Sequence, residues 1–243
     1  AFVFIGPFYG LADLDIPLLD VLWISLLAAG AFALASSGCY VLNDLADAEE
    51  DRIHPRKRRR PIAAGEVGPT VAAVWSLALF TAAAALVLIT PERVPGVATR
   101  TLLGVTLAVY VGNVLLYSAL LKHLAIADVM SLAIGFVLRV LGGCAALAIS
   151  PTGWLLNTAF FLSMFLAFSK RLGERRTLGD QAGAARAVQG DYTDVLLRMS
   201  VVVTAVATLL GYTVYVEEQS ALYTWGFNLL WLTILPATYG LFR

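Results

Sequence analysis

The sequence has little charge and almost no cysteine. Asp, Glu, Lys and Arg together make up 14% of its 243 residues, and only two residues are cysteine. This composition is typical of a membrane protein and argues against a water-soluble domain. Cys39 and Cys144 lie inside apolar runs, so we expect free buried thiols and no disulfide framework. Basic and acidic residues balance at 17 each, so net charge does not indicate a nucleic-acid partner.

Long hydrophobic runs take the place of charge. Hydrophobic residues make up 59% of the chain, and the mean hydropathy is +0.79. A helix of roughly 20 apolar residues spans a bilayer. Seven such spans are predicted after a partial one at 1–10, at 17–42, 70–90, 95–121, 125–149, 152–169, 194–216 and 222–242. We therefore expect an all-α, polytopic transmembrane helical bundle. It would form a single domain, 1–243, truncated at both ends because the chain starts and stops within apolar runs.

The basic residues are distributed unevenly between the two sides of this predicted bundle. Three connections on one side hold twelve of the 17 lysines and arginines, whereas the opposite loops hold little more than Arg93 and Arg100. By the positive-inside rule, the basic side is predicted to face the cytoplasm. The residues on that side are Arg52, Arg56, Lys57, Arg58, Arg59, Arg60, Lys122, Lys170, Arg171, Arg175, Arg176 and Arg186.

The densest charge lies in residues 43–65, which read NDLADAEEDRIHPRKRRRPIAAG. Asn43, Asp47 and Asp51 are four residues apart, so a continuing helix stacks them on one face at about 6 Å intervals. Like charges at this spacing destabilise a helix unless a counter-charge is present. Such oxygen ligands suit Mg²⁺. An acidic helix end paired with its own basic loop explains the spacing nearly as well.

A basic run follows this acidic row directly. Residues 56–60 are five consecutive cations, and Pro55 and Pro61 stiffen the loop on either side. A loop that only fixes membrane orientation is also basic, but it does not require an acidic row beside it. Row and loop together favour a site for a metal-bound diphosphate, whose remaining charge Lys and Arg neutralise.

These residues resemble a known family. The pattern N-D-x-x-D-x-x-x-D is similar to the first aspartate-rich motif of the UbiA superfamily of intramembrane prenyltransferases. The string H-P-x-K-x-x-R-P-I-A-A-G after it resembles the decaprenyl-phosphate phosphoribosyltransferase branch, and the resemblance runs along almost the whole chain. It implies a bundle of nine helices in the full protein, about eight of them here, with Mg²⁺ held by Asn43, Asp47 and Asp51.

Two further positions on the basic side are candidate substrate contacts. The resemblance places Tyr117 and Lys122 in the site, although an interfacial tyrosine and lysine that anchor a helix end are about as common. Arg139 lies about three turns into the next span. An arginine at that depth is costly and indicates function. Its partner is predicted to be either a substrate phosphate or Asp128.

The third basic loop departs from the general superfamily pattern. Many members carry a second D-x-x-x-D there, whereas this chain has K-R-x-x-E, with Lys170 and Glu174 on one helical face. The phosphoribosyltransferase branch has a K-R-x-x-E-like motif, so the departure favours that branch. Asp180, Asp191 and Asp194 remain as acidic substitutes, which keeps the prenyltransferase alternative open.

The resemblance implies Mg²⁺-dependent transfer of 5-phosphoribose from phosphoribosyl diphosphate to a long polyprenyl phosphate, for arabinan precursors of the cell envelope. The alternatives are a 4-hydroxybenzoate-type prenyltransferase of quinone synthesis and a non-catalytic scaffold or transporter. No nucleic-acid partner is expected, and a homo-oligomer stays open. The candidate residues are Asp47, Asp51 and Glu174 for catalysis, Asn43, Asp47 and Asp51 for the metal, and Lys57, Arg60, Tyr117, Lys122, Arg139, Lys170 and Arg171 for substrate.

Overall fold

The computed structural model describes residues 2–11, 16–53, 57–92, 96–178, 192–218 and 228–243. Within these residues the chain is helical and contains no strand. Short 3₁₀ helices lie at Phe2–Phe4, Lys57–Arg59, Leu121–His123 and Leu229–Thr233. The α-helices are α1 Ile5–Tyr9, α2 Leu18–Ala46, α3 Ala48–Ile53, α4 Pro69–Ile89, α5 Thr99–Ala119, α6 Ala127–Ala146, α7 Gly153–Leu178, α8 Asp194–Glu218 and α9 Ile234–Phe242. The prediction of an all-α fold is confirmed.

Five of the described helices are long and apolar enough to cross a membrane, namely α2, α4, α5, α6 and α8. They correspond to five of the seven spans predicted from the sequence. The predicted span at 152–169 is the apolar part of α7, a longer helix that ends in charged residues and falls outside the set of five. The last apolar segment, Leu229–Phe242, is shorter than a span. The start of the span predicted at 222–242 lies outside the described residues.

Helix boundaries follow local sequence signals. Helix α4 begins at Pro69, where the missing N–H of proline costs no hydrogen bond, and Gly68 caps it. It ends at Ile89, and the backbone of the next residue, Thr90, is extended at φ −62° and ψ 124°. The following residue is Pro91, and a proline disfavours helical geometry in the residue before it. With 21 residues, α4 is about 31 Å long, close to the thickness of a hydrocarbon core.

The chain forms two compact units. Unit 1 comprises Ala1–Leu121 and Leu138–Ser150, and unit 2 comprises Lys122–Val137 and Pro151–Arg243. The two halves of α6 therefore belong to different units. The prediction of a single domain stays a prediction.

Unit 1 packs α4 and α5 against the small residues of α2. Ala28, Ala31 and Ala35 are at most 1% exposed and line its core with Phe32. Small residues let helices approach closely, which is how membrane helices gain packing energy without a hydrophobic driving force between them. At Gly143 the approach requires glycine, since a Cβ there would lie 1.9 Å from the carbonyl oxygen of Val3.

The core of unit 2 lies between the start of α6, the end of α7 and the start of α8. Val129 and Ala133 of α6 pack with Phe168 and Leu172 of α7 and with Leu197 of α8. This end of the unit also carries most of its charged residues. Packing of α7 on both neighbours therefore decides which side of the K-R-x-x-E segment is buried.

Large apolar side chains are abundant on the outer surface. Trp75, Leu77 and Val203 are 61%, 67% and 61% exposed. A soluble domain does not leave so many large apolar groups in water, whereas a lipid-facing surface is expected to be apolar. With the five apolar helices, this identifies an integral membrane protein.

Candidate active site

The acidic row lies where α2 gives way to α3. Helix α2 ends at Ala46 and α3 begins at Ala48, with Asp47 between them at φ −89° and ψ 3°. The predicted uninterrupted helix is therefore broken at Asp47. Helical hydrogen bonding nevertheless continues, because the Asp47 N–H donates to Asn43 O at 2.9 Å and the Asp51 N–H donates to Asp47 O at 2.8 Å. The predicted spacing of one turn between successive members is preserved.

The basic loop folds back onto this row. Arg60 Nη1 donates to Asp44 Oδ1 at 2.7 Å and to Asp51 Oδ2 at 2.8 Å. Lys57 Nζ lies 3.5 Å from Asp51 Oδ1. The Asp51 side chain is 2% exposed, whereas those of Arg60 and Lys57 are 38% and 41% exposed. The loop therefore supplies the counter-charge that the acidic spacing requires and keeps both cations within reach of solvent.

The same residues can be tested for a fit to Mg²⁺. Asn43 Nδ2 donates to Asp47 Oδ2 at 3.1 Å, an arrangement that leaves the amide oxygen of Asn43 as an acceptor. Among the described residues, no three His, Cys, Asp or Glu side chains form a group that could hold a metal ion. A protein Mg²⁺ site usually needs only one or two carboxylates, completed by water and substrate phosphate. The Asn43 amide and the Asp47 and Asp51 carboxylates are therefore donors of the kind that Mg²⁺ takes, although Lys57 and Arg60 hold the two oxygens of Asp51 in this structure.

Tyr117 and Lys122 lie close together in the sequence, at the end of α5 and in the 3₁₀ helix after it, but they belong to different units. Tyr117 is half-buried in the last turn of α5, in unit 1. Lys122 is half-buried in the 3₁₀ turn that opens unit 2. Their role in binding substrate stays a prediction.

Arg139 forms a polar cluster within the helices of unit 1. Its Nη2 donates to Tyr110 Oη at 2.6 Å and lies 3.4 Å from Ser36 Oγ. Its guanidinium carbon also lies 4.9 Å from the centre of the Tyr110 ring, within the range of a cation–π interaction. These contacts give the arginine partners from α2 and α5.

Arg171 does not project toward solvent. It is 3% exposed, and its Nε and Nη2 donate to Asp128 Oδ2 at 3.1 and 2.9 Å. Its Nη1 lies 3.6 Å from Glu174 Oε2. Lys170 is exposed, and the Glu174 side chain is 35% exposed. The K-R-x-x-E segment thus presents Lys170 and Glu174, whereas Arg171 is occupied by a buried ion pair.

Tyr192 completes the buried group around Asp128. Its hydroxyl donates to Asp128 Oδ1 at 2.5 Å and accepts from the Ile126 N–H at 2.7 Å. Ile126 has φ 70°, a left-handed conformation that costs a β-branched residue about 1–3 kcal/mol. Burial, reinforced by the hydrogen bond to Asp128, raises the pKa of Tyr192 above its usual range, so the hydroxyl stays protonated.

Three of these residues are not predicted from the sequence to take part in the site as the structure shows it. The sequence predicts Asp128 only as a possible partner of Arg139, whereas the structure pairs it with Arg171. It gives Tyr110 and Tyr192 no role. The one local signal was a carboxylate at the start of an apolar helix, since Asp128 is fully buried there and a buried carboxylate needs partners. The acidic substitutes Asp180 and Asp191 lie outside the described residues. Asp194 accepts from Arg175 Nε at 2.5 Å on the protein surface.

Both the sequence and the fold of the chain match a known protein family. The sequence model of the UbiA prenyltransferase family matches residues 1–243. The chain belongs to this family. A solved structure of a UbiA homolog from Archaeoglobus fulgidus bound to GPP and Mg²⁺ superposes with a TM-score of 0.72 at 15% identity, covering 99% of this chain and 77% of that one. At this identity the likeness establishes the fold alone, and the predicted UbiA-like fold is confirmed.

Two curated relatives of this UbiA-family protein carry the same name. It is 37% identical over 185 residues to a decaprenyl-phosphate phosphoribosyltransferase of Mycolicibacterium smegmatis, covering 74% of this chain and 54% of the relative. It is 32% identical over 216 residues to that of Mycobacterium tuberculosis, covering 87% and 66%. The chain therefore spans about half to two thirds of the length of these relatives. The predicted resemblance to this branch is confirmed.

Proposed function

We propose that the protein transfers 5-phosphoribose from phosphoribosyl diphosphate to a long polyprenyl phosphate and releases diphosphate. The observation that carries the reaction class is the contact between the acidic row and the basic loop, in which Arg60 bridges Asp44 at the end of α2 and Asp51 in α3. Carboxylates for a divalent cation beside solvent-accessible guanidinium and ammonium groups are what a bound diphosphate requires.

Two features favour phosphoribosyl diphosphate over a prenyl diphosphate as donor. The chain is 32% to 37% identical to relatives named decaprenyl-phosphate phosphoribosyltransferase. It also carries Lys170 and Glu174 where many family members carry a second acidic pair, and both are accessible on α7. A cation with a single carboxylate is suited to a sugar phosphate, whose phosphate and hydroxyl groups need one partner of each kind.

In this mechanism an oxygen of the polyprenyl phosphate attacks C1 of the ribose. The bond from C1 to the diphosphate oxygen breaks, and diphosphate leaves with the electron pair. A Mg²⁺ ion held by Asn43, Asp47 and Asp51 would stabilise charge on the leaving diphosphate. Lys57 and Arg60 would bind its outer oxygens. A phosphate monoester is already anionic, so the protein needs no strong general base, and positioning supplies most of the rate.

The remaining contacts are assigned by exposure and charge. Lys170 would bind a phosphate, and Glu174 would accept a hydrogen bond from a ribose hydroxyl. Tyr117, Lys122 and Arg139 keep their predicted place as substrate contacts. Arg171 is left out of this set because it is buried, at 3% exposure, in its ion pair with Asp128. Arg60 is also paired with carboxylates, but its side chain is 38% exposed. The basic loops would face the cytoplasm of a bacterial plasma membrane, where a water-soluble donor is available.

A substrate panel tests the proposal. The full-length protein in detergent with Mg²⁺ receives either phosphoribosyl diphosphate with polyprenyl phosphate or a prenyl diphosphate with 4-hydroxybenzoate, with the donor radiolabelled in each case. We expect label in the organic phase, attached to the polyprenyl phosphate, with the first pair alone. Conversion of the second pair alone would establish the aromatic prenyltransferase alternative. No conversion of either pair would contradict both assignments and favour a non-catalytic scaffold.

A further inference from the structure

In unit 2, a connected group of three buried side chains with polar atoms comes from three separate segments. Asp128 and Tyr192 are 0% exposed and Arg171 is 3% exposed. Asp128 lies in the first turn of α6, Arg171 in the charged part of α7, and Tyr192 two residues before α8. The reaction proposed above uses neither Asp128 nor Tyr192. Such a group is costly to bury unless each member is paired and hydrogen-bonded, so its geometry shows what it holds in place.

Every oxygen of the Asp128 carboxylate is occupied. Oδ2 accepts two hydrogen bonds from Arg171, and Oδ1 accepts from the Tyr192 hydroxyl and from the Val129 N–H. The Tyr192 hydroxyl in turn accepts from the Ile126 N–H. Charge-assisted hydrogen bonds of this kind are strong and directional. Asp128 therefore fixes the positions of α7, of the turn before α6 and of the entry to α8 relative to one another.

This anchoring determines which face of α7 is accessible. Arg171 and Leu172 are buried, Phe168 packs beside Tyr192, and Lys170 and Glu174 stay accessible. Lys170 and Glu174 are about one helical turn apart, so both lie on the same face of α7. A rotation of α7 about its axis would move both side chains and expose the buried arginine. Arg171 Nη1 also lies 3.6 Å from Glu174 Oε2, and this contact directly restrains the position of the Glu174 carboxylate.

We infer that Asp128, Arg171 and Tyr192 form a buried clamp that positions Lys170 and Glu174 for the substrate. Arg171 is then a positioning residue, since its guanidinium holds α7 and does not contact the transferred group. The roles of Lys170 and Glu174 rest on the proposed function, whereas the anchoring of α7 does not. The inference therefore has two tests, one with substrate and one without.

A double-mutant cycle with substrate separates the clamp from direct binding. We expect Asp128→Asn and Arg171→Gln each to lower kcat about 100-fold, because a small misplacement of binding groups costs about that much. We expect the double variant to be at least 10-fold more active than either single variant, since a neutral amide pair of similar shape relieves the unpaired buried charge. A raised KM for either substrate in Arg171→Gln, with no recovery in the double variant, would overturn the clamp and make Arg171 a substrate contact.

Spin-label distances test the anchoring without substrate. Labels are attached at Gly173→Cys, where a side chain meets nothing within 4 Å, and at Leu210→Cys, which is 62% exposed in α8. The buried Cys39 and Cys144 are first replaced by alanine. We expect a narrow distance distribution that broadens in Tyr192→Phe, a mild change that removes one hydroxyl. Arg175→Gln, which breaks the more exposed Arg175–Asp194 pair at the same end of α7, serves as the control and should leave the distribution narrow.

The two measurements fail differently. Unchanged distances in both Tyr192→Phe and Asp128→Asn would contradict the clamp, whatever the enzyme transfers. Absence of transfer by the wild-type protein, with distances that broaden as expected, would leave α7 anchored as inferred and contradict the proposed reaction alone.

Discussion

Arg60 is the residue whose removal most directly tests the first motif. Its Nη1 bridges Asp44 and Asp51 at 2.7 and 2.8 Å. A hydrogen bond to a charged group contributes about 1.5–3 kcal/mol, and the contact with Asp51 belongs at the upper end because that side chain is 2% exposed. The contact with the more exposed Asp44 contributes about 0.5–1 kcal/mol. Because Lys57 still compensates Asp51 in part, we expect Arg60→Gln to cost about 2–3 kcal/mol.

For a chain of this length, 1 kcal/mol corresponds to about 2–4 °C in Tm. Arg60→Gln should therefore lower Tm by about 4–12 °C, measured by the intrinsic fluorescence of the five tryptophans in purified protein. Arg58→Gln removes the same charge from an exposed position of the same loop and should change Tm by less than about 2 °C. Equal shifts in the two variants would refute the bridging geometry.

Magnesium should also distinguish these two variants. Without Arg60, the carboxylates of the row lose the cation that now neutralises them, so a divalent ion gains attraction. We expect 10 mM Mg²⁺ to raise the Tm of Arg60→Gln by more than that of the wild type or Arg58→Gln, by mass action on the folded state. An equal response to Mg²⁺ in all three proteins would contradict metal binding at the acidic row.

Three further predictions concern single side chains. Asp47→Asn should reduce turnover more than 100-fold while leaving Tm within about 2 °C, which initial rates and thermal unfolding measure; normal Mg²⁺-dependent turnover would remove the metal assignment. Tyr110→Phe should lower stability by about 1–2 kcal/mol in thermal unfolding, because the Arg139 guanidinium loses its 2.6 Å acceptor; an unchanged Tm would mean that Arg139 does not depend on this contact. Tyr192 has a raised folded-state pKa, so its contribution is complete below the unfolded pKa near 10 and declines as the pH rises above it. Between pH 9 and 11 the wild type should therefore lose more stability than Tyr192→Phe, and equal losses would contradict the shift.

The parts of the fold that depend on local sequence could be predicted. The span at 70–90 is α4, Pro69–Ile89, because apolar length and a flanking proline act within a few residues of where they occur. The predicted spacing of Asn43, Asp47 and Asp51 by one helical turn is also found in the structure, because backbone hydrogen bonds between neighbouring turns determine this spacing. The break at Asp47 was not predicted, as nothing in the local pattern marks it.

The parts that depend on distant residues could not be predicted. Arg171 and Asp128 are 43 residues apart, and Tyr192 is 64 residues from Asp128, so only the packed helices bring them together. From the sequence alone, Arg171 is predicted to contact substrate. In the structure its guanidinium is buried and forms an ion pair with Asp128. The role of Arg60 as a phosphate contact stays a prediction, and its bridging of Asp44 and Asp51 is visible only in the folded loop.

In the proposed reaction, this UbiA-family protein uses its acidic row and a divalent cation to transfer phosphoribose to a lipid phosphate. The most direct test measures transfer of radiolabel from phosphoribosyl diphosphate to polyprenyl phosphate by the full-length protein, first with Mg²⁺, then with EDTA, then with Mg²⁺ restored. We expect transfer that is lost with EDTA and recovered with Mg²⁺. Transfer that persists at the same rate in EDTA would contradict the proposed dependence on a divalent cation.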